Sequence, residues 1–320
     1  MMRYRFTEVF AESGLRGAVR RLSARWLAAA ARHLNRRSQR ILSRNRLGLA
    51  SAVLRARLAN NAVLKDAGKG RRCFVLASGP STLDQDLRVL KGESIIAANE
   101  MFLRLQKDEL AATALIFLDT AYLKPTPGYQ KFLRDFAAAA AGMKAVPFLP
   151  VEAEAMPAVS GLFLDGAAHY IAYVGQLLDC ESDGVQQWLD FTAPLPGLYT
   201  STHAAIALAL YMGFAEIHIL GLDMDYLANP ANPIGHGYGA NPYNEYDRIS
   251  AGAAFRRSVG WSYADLLARS AEELRAFDRL LALAQQRGQR IFNLSPTSIV
   301  ESFERRTLES LDLGRSDAAR

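Results

Sequence analysis

Residues 73–81 of the chain spell CFVLASGPS, an apolar run that stops abruptly at a small polar turn. The run has no polar alternation, which predicts a strand covered on both faces of a sheet. Gly79 permits a close approach that a side chain would forbid, and Pro80 fixes its own φ in a helix-compatible range. Ser81 is then predicted to cap a helix running through Leu90, whose free N-terminal amides would face a ligand above the strand. An ordinary turn without a ligand explains the same residues equally well.

The bulk composition is that of a folded α/β protein. With 320 residues, half of them hydrophobic, the chain suits one large domain or one domain plus an extension. Its two cysteines, Cys73 and Cys180, lie far apart in the sequence and favour neither a disulfide framework nor a zinc site. No apolar run approaches the ~20 residues that span a bilayer, and arginines interrupt the region where a secretory signal would be apolar. We therefore expect a cytoplasmic protein.

A basic arm precedes a mildly acidic body. Residues 1–70 carry 16 Lys and Arg against three acids, a net charge of +13, whereas the remainder carries −7. Apolar residues in the arm recur at helical spacing. They are Leu15, Val19, Leu22, Trp26, Ala30 and Leu34. This pattern predicts an amphipathic helix that either binds an anionic membrane surface through residues 1–60, peripherally on the inner membrane, or packs on the body. Nucleic acid is disfavoured as a partner because aromatic residues do not interleave with the arginines.

Beyond residue 71, short apolar runs alternate with helical patterns, which predicts a Rossmann-like α/β domain with a mostly parallel sheet. The predicted strands are 74–77, 95–98, 115–118, 145–149, 217–220 and 290–292. We divide the chain into an N-terminal basic helical extension (1–70), a nucleotide-binding catalytic domain (71–300) and a C-terminal tail (301–320). Residues 150–197 and 228–260 have irregular patterns, and we expect them to form lid or insertion regions.

Small or polar residues end five of the predicted strands. They are Ser78 and Gly79, Asn99, Asp119, Gly221 and Asp223, and Asn293 and Ser295. In open α/β sheets, ligands bind outside the carboxyl ends of the strands. The set therefore predicts a shared cleft, although any single strand-end residue is more often structural than catalytic.

Several of these stretches carry a family resemblance. Residues 73–81, 95–99, 200–223 and 291–298 resemble bacterial sialyltransferases of glycosyltransferase family 42. They also resemble a wider group that includes flagellin motility accessory factors and archaeal 6-hydroxymethylpterin diphosphokinases. The resemblance covers roughly residues 71–300, with a gap through 130–195. It implies a single Rossmann-like domain of GT-A-variant type with a lid, a CMP-sialic acid donor, inversion at the anomeric carbon, and no metal or other cofactor.

The same resemblance implies which residues bind the donor nucleotide. They are Ser78, Gly79, Pro80, Ser81, Asn99, Asp119, Thr200, Ser201, Gly221, Leu222 and Asp223. Two positions depart from the family pattern. Asp119 stands where the family has an asparagine, and Leu198 stands where it has an arginine just before the Thr-Ser pair.

One histidine is the candidate general base. Of the five histidines, only His236 stands in a Gly-flanked loop, IGHGY, just beyond a predicted strand end. A neutral imidazole there could take the proton of an acceptor hydroxyl as it attacks the anomeric carbon. The family's base is also a histidine in this region, although the spacing to the following helix is longer in this chain. Tyr226, Tyr238 or Tyr243 could donate a hydrogen bond to the departing phosphate.

A short acidic motif keeps a second chemistry open. Asp223 and Asp225 form an Asp-x-Asp at a strand end, an arrangement that holds Mg²⁺ or Mn²⁺ on nucleotide diphosphates in many enzymes.

Our leading prediction is a glycosyltransferase that moves a sialic acid-like sugar from a CMP donor to a surface glycan or lipooligosaccharide. The alternatives are a Mg²⁺-dependent pyrophosphoryl transferase resembling 6-hydroxymethylpterin diphosphokinase, and a non-catalytic nucleotide-sugar-binding accessory protein. A homo-oligomer is compatible with all three.

Overall fold

A computed structural model gives the architecture of the chain. It describes residues 26–27, 52–154, 156, 159, 161–163, 167–174, 189–196, 198–224, 237–239, 242–243 and 262–313. The chain divides into two compact units, Met1–Leu49 and Ala50–Arg320. In the first unit, the described residues Trp26 and Leu27 are helical and exposed. Among the described residues, no helix is long and apolar enough to cross a membrane.

The second unit alternates strands and helices. Its strands are β1 (Arg72–Leu76), β2 (Ile95–Ala98), β3 (Ala114–Ile116), β4 (Val146–Pro150), β5 (His169–Ile171), β6 (Tyr173–Val174), β7 (Leu195–Pro196), β8 (Glu216–Leu220), β9 (Arg290–Asn293) and β10 (Glu304–Arg305). Its α-helices are α1 (Ala52–Ala59), α2 (Met101–Lys107), α3 (Pro127–Met143), α4 (Ser201–Tyr211) and α5 (Tyr263–Gln286). Short 3₁₀ helices are Asn60–Leu64, Pro80–Asp84, Leu87–Leu90, Thr120–Leu123, Val151–Ala153 and Leu308–Ser310.

Eight strands form one open sheet in the order β10-β9-β8-β1-β2-β3-β4-β5, and every neighbouring pair in it is parallel. Strands β6 and β7 form a separate parallel pair. The expected α/β class with a Rossmann-like parallel sheet is confirmed. The apolar runs made this predictable, because strands buried on both faces of a parallel sheet carry no polar alternation.

The strand order reverses between β1 and β8. From β1 the chain builds the sheet outward in one direction to β5, and it then returns so that β8 pairs with the other side of β1. Such a reversal is a topological switch point, where the connections leaving two adjacent strands run to opposite faces of the sheet. Ligands of open α/β sheets bind outside the carboxyl ends of the strands at such a point, so we call the region around residues 77–81 and 221–223, at the ends of β1 and β8, the crevice.

Different helices cover the two faces of the sheet. On one face, Cys73 and Val75 of β1 belong to a buried cluster with α4 and α5. Helix α4 is buried and apolar on nearly all sides, as expected for a helix enclosed in a core. On the opposite face, the Phe117 ring meets the rings of Phe132 and Phe136 from α3 edge-on, at 5.2 and 5.1 Å between centroids.

The prediction of a helix capped by Ser81 after the opening turn is wrong in the type of helix and in the residue that caps it. Residues Pro80–Asp84 form a 3₁₀ helix whose N-cap is Gly79, and a second 3₁₀ helix, Leu87–Leu90, follows after a break. The Ser81 side chain does not cap a helix because it is hydrogen-bonded to another strand end. A hydrogen bond to a side chain that is distant in the sequence thus outweighs the local capping preference.

Part of the irregular 150–197 region belongs to the main sheet. Strand β5 is its edge strand, paired with β4. The fully buried Asn61 holds this edge, because its amide donates to the carbonyl oxygens of Tyr170 and Phe191, both at 2.8 Å. Three residues are too few to give a clear strand pattern, which is why the sequence did not reveal β5.

Candidate functional site

Two glycines bring the ends of β1 and β8 together. Gly79 N–H donates to the carbonyl oxygen of Gly221 at 2.9 Å. A Cβ on Gly79 would lie 2.3 Å from that oxygen, and a Cβ on Gly221 would lie 2.3 Å from the carbonyl oxygen of Ala77. Gly221 also has a φ of +73°, which disfavours other residues. The two backbones can approach this closely at the switch point because neither residue has a side chain.

A buried carboxylate ties the turn to the β8 end. Asp223, 1% exposed, accepts hydrogen bonds from Ser81 N–H at 2.7 Å and from Ser81 Oγ at 2.5 Å. These two residues were predicted to bind a donor nucleotide, and the structure brings them together. Both oxygens of Asp223 are engaged with Ser81, so this contact fixes the shape of the crevice.

Asn99 lies beside the opening turn. The register pairs Leu76 with Ala97, and Ser78 and Asn99 each follow two residues later, so both lie just beyond the ends of these adjacent strands. Asn99 has a φ of +52°, and its N–H donates to the carbonyl oxygen of Ile116 at 2.8 Å. Its side-chain oxygen is buried, and within the described part of the chain it has no hydrogen-bond partner. Leaving such a group unpaired costs about 1–3 kcal/mol, which a ligand donor would recover.

Thr200 and Ser201 stand at the N-terminus of α4, at the same edge of the sheet. Ser201 Oγ accepts a hydrogen bond from Leu118 N–H at the end of β3, at 2.9 Å. Thr200 is the N-cap, and its hydroxyl accepts from His203 N–H at 3.2 Å. Both predicted hydroxyls are therefore used within the protein. Thr200 already satisfies one of the N–H groups of the first turn of α4, and the N-terminus of a helix generally carries a partial positive charge that favours anions.

His203 orients that cap from inside the core. Its Nε2 lies 3.0 Å from the carbonyl oxygen of Glu273, which can only accept, so Nε2 carries the proton. Its Nδ1 then accepts from the Thr200 hydroxyl at 2.8 Å. The side chain is fully buried, and this burial lowers the pKa of His203 to about 4. The imidazole is neutral at physiological pH and holds Thr200 in one orientation.

Other histidines of the body are also held by structural contacts. His218 is buried between the rings of Phe74 and Phe292, stacked at 5.2 and 5.1 Å between centroids. Burial lowers its pKa. His169 Nδ1 lies 2.8 Å from the side-chain oxygen of Asn61, at the opposite end of β5 from the crevice. The residue predicted as general base, His236, lies outside the described residues, as do Tyr226 and Asp225.

A carboxylate that sequence reasoning missed lies next to Asn99. Glu100 is 2% exposed and accepts a hydrogen bond from the hydroxyl of Tyr122. Burial and the neighbouring Glu100 charge hold the pKa of Tyr122 far above its usual range. Tyr238 and Asp119 also act on this phenol electrostatically, which places them at the same edge. The position of Glu100 directly after a strand-end asparagine was the available signal.

The 228–260 region, which we call the second loop region, meets the crevice at its described residue Gly237. Its N–H donates to the carbonyl oxygen of Ser78 at 2.9 Å. Tyr238 follows and is half-buried, whereas the hydroxyl of Tyr243 donates to Asp135 at 2.9 Å. Burial together with Asp135 raises the pKa of Tyr243. Of the three tyrosines predicted to assist the leaving phosphate, Tyr243 is thus committed elsewhere, and Tyr238 is next to the turn.

Two further features of the surface bear on metal and ligand binding. Among the described residues, no cluster of three or more His, Cys, Asp or Glu side chains is arranged to hold a metal ion. A cavity of about 310 Å³ lies at the opposite edge of the sheet, lined by Lys91–Glu93 and Glu109–Thr113. These residues precede β2 and β3, so this cavity is separate from the crevice.

Comparisons with known proteins find similar solved structures, among them a glycosyltransferase and a sialyltransferase. No protein-family model matches the chain, and no curated protein sequence matches it. The chain is similar to the structure of a Maf glycosyltransferase from Magnetospirillum magneticum AMB-1, with 17% identity and a TM-score of 0.41 over 82% of this chain and 39% of that one. The chain thus spans about two fifths of the Maf structure. It is also similar to an alpha-2,3/8-sialyltransferase, CstII, solved as a point mutant, with 11% identity and a TM-score of 0.32 over 73% of this chain and 85% of that one. Similarity at this level does not transfer an activity, so function has to be argued from the site itself.

Proposed function

We propose that this chain is a nucleotide-sugar-dependent glycosyltransferase whose donor binds in the crevice between the ends of β1 and β8. The observation that carries the proposal is the meeting of the Gly79 and Gly221 backbones at the switch point, near the side-chain oxygen of Asn99, which has no hydrogen-bond partner among the described residues. Open parallel sheets bind nucleotides at this place. The N-terminus of α4 adds a favourable field for phosphate at the same edge.

The donor we propose is a CMP-activated, sialic acid-like sugar, and the acceptor is a hydroxyl of a surface glycan or lipooligosaccharide. This choice follows the resemblance of the 73–81 and 200–223 stretches to family 42 sialyltransferases. In the reaction, the acceptor oxygen forms a bond to the anomeric carbon while the bond from that carbon to the CMP phosphate oxygen breaks. The acceptor proton passes to His236, and the anomeric centre inverts. Tyr238 is our candidate for donating a hydrogen bond to the departing CMP.

The contacts of Asp223 favour a reaction that does not use this carboxylate as a metal ligand. Both of its oxygens accept hydrogen bonds from Ser81, so a cation would have to compete with the contact that shapes the turn. We therefore propose that neither a metal nor another cofactor is required. If the chain were instead a Mg²⁺-dependent pyrophosphoryl transferase, its activity would be lost in EDTA.

Release of CMP from CMP-sialic acid, with and without a glycan acceptor, tests the proposal directly. We expect turnover that survives EDTA and falls at least 100-fold in His236→Ala, because general base catalysis typically contributes about 10²–10⁴-fold. Tyr243→Phe is the matched control and should keep its activity, since that hydroxyl is bound to Asp135. Binding of CMP without any turnover would indicate an accessory protein instead, and absence of both would refute the proposal.

We further propose that residues 1–60 attach the enzyme to an anionic membrane surface on the cytoplasmic side. The arm is strongly basic, and the described pair Trp26 and Leu27 expose 78% and 70% of their surface. Aromatic and aliphatic side chains with neighbouring arginines bind such surfaces. Co-sedimentation with anionic vesicles, with and without residues 1–49, tests this role; the truncation stops before α1, whose Leu58 is buried in the second unit. Equal pelleting of the two proteins would refute it.

A further inference from the structure

The guanidinium of Arg104 joins two backbone segments of the crevice. Arg104 lies in α2, and its side chain is 11% exposed. Its Nη1 donates to the carbonyl oxygen of Thr82 at 2.9 Å and its Nη2 to that of Gln85 at 2.9 Å. Nη1 also donates to the carbonyl oxygen of Gly237 at 3.5 Å. One side chain thus spans the opening turn and the second loop region.

Asp108 completes the environment of Arg104. Its carboxylate, four residues later at the C-cap of α2, accepts from Arg104 Nε at 2.6 Å and is 12% exposed. The pair is largely shielded from water, so the guanidinium is held in one geometry. Lysine could not reproduce this arrangement, because an ammonium group lacks the planar set of donors that reaches several acceptors at once.

Gly237 is docked on the turn from the other side as well. Its N–H donates to the carbonyl oxygen of Ser78 at 2.9 Å. A Cβ at this position would lie 1.9 Å from Thr82 Oγ1 and 2.8 Å from the carbonyl oxygen of Gly79. The backbone of Gly237 therefore lies directly against the turn, and a glycine is required for this approach.

We propose that Arg104 is a positioning residue of the donor site. It holds Gly237, and with it the segment that directly follows His236 in the sequence, against the turn that binds the nucleotide. This inference rests on the proposed function. Helix α2 starts just after Asn99 and Glu100, so Arg104 also links the segment to the end of β2. The separation in sequence between Arg104 and Gly237 is 133 residues, so the contact exists only in the folded chain.

The test compares Arg104→Gln and Arg104→Lys with Asp108→Asn in the full chain. Asp108→Asn removes the ion pair but leaves the guanidinium donors to all three carbonyl oxygens, so it is the matched control. Hydrogen exchange of residues 237–239 reports the docking without any need for activity. CMP dissociation constants, together with kcat and KM for CMP release from the donor, report the site.

We expect Arg104→Gln to speed exchange at Gly237 and to weaken CMP binding by roughly tenfold, as loss of charged hydrogen bonds implies. It should also lower kcat, and Arg104→Lys should fall between this variant and the wild type. Asp108→Asn should lower the melting temperature yet keep the exchange rate and CMP affinity near those of the wild type. Gly237→Ala, which leaves Arg104 intact, should reproduce the weaker CMP binding, and it serves if Arg104→Gln fails to fold.

Three results would overturn the inference in distinguishable ways. Unchanged exchange at Gly237 in Arg104→Gln would show that Arg104 does not hold the segment. Faster exchange with unchanged CMP affinity and kcat would show that the contact only stabilises the fold. Absence of CMP binding by the wild type would refute the proposed function and the role of Arg104 at a donor site together, while the exchange rates would still show whether Arg104 holds Gly237.

Discussion

Replacement of His203 is expected to make the free energy of unfolding depend less on pH in the acid range. His203 is fully buried, stacked on the Phe277 ring at 4.1 Å between centroids, and its pKa is lowered from 6.5 to about 4. Burial is the main cause, because the charged imidazolium loses its hydration in the core. The folded state therefore binds this proton less readily than the unfolded state. The stability that the neutral imidazole of His203 contributes is fully present above pH 6.5 and is lost as the pH falls towards 4.

The size of the effect follows from linkage. A group with these two pKa values lowers the free energy of unfolding by about 2 kcal/mol at pH 5 and about 3 kcal/mol at pH 4, relative to pH 7. The variant His203→Gln does not titrate in this range. The loss of stability between pH 7 and pH 4 should thus be about 3 kcal/mol smaller in the variant than in the wild type. Urea denaturation followed by circular dichroism at each pH measures both curves.

Phe277→Leu is the control for this experiment. It keeps His203 but removes the ring that covers it, so it should lower the free energy of unfolding and should also reduce the difference between pH 7 and pH 4, because the less buried imidazole has a pKa closer to 6.5. The comparison does not depend on the absolute stability of either variant, because only the difference between two pH values is used. Parallel curves for the wild type and His203→Gln would refute the assignment of a neutral, buried imidazole.

Three further substitutions test the contacts of the crevice. Gly79→Ala should lower the melting temperature and weaken CMP binding in calorimetry, because its Cβ would lie 2.3 Å from the carbonyl oxygen of Gly221; an unchanged protein would contradict the close approach. Asp223→Asn cannot accept both hydrogen bonds from Ser81 and should cost about 1–3 kcal/mol in urea denaturation. Strictly additive losses in a double-mutant cycle with Ser81→Ala would argue against that contact. Thr200→Val should cost about 1 kcal/mol through loss of the N-cap, whereas Thr200→Ser should retain stability; equal melting of the two variants would count against the cap.

The strands of the sheet were predictable because their signal is local. Runs such as Phe74–Ala77 and Ile95–Ala98 are apolar without alternation, and burial on both faces of a parallel sheet needs only that property. The edge of the sheet that carries the crevice was predictable for the same reason, since parallel strands all end on one side. The helix cap predicted at Ser81 is wrong. A capping preference is worth only about 1 kcal/mol, and the Ser81 side chain binds a buried carboxylate instead.

Taken alone, the sequence determined the α/β class, most of the strands and the edge at which polar residues gather. The tertiary structure decided which of those polar residues bind one another. Ser81 and Asp223 are 142 residues apart and bind each other, whereas the side-chain oxygen of Asn99 is left without a partner among the described residues. The structure also placed Arg104 between the turn and Gly237. The apolar pattern of a strand can be recognised from neighbouring residues. Hydrogen-bond partners depend on which distant strands and loops meet, and only the fold determines that.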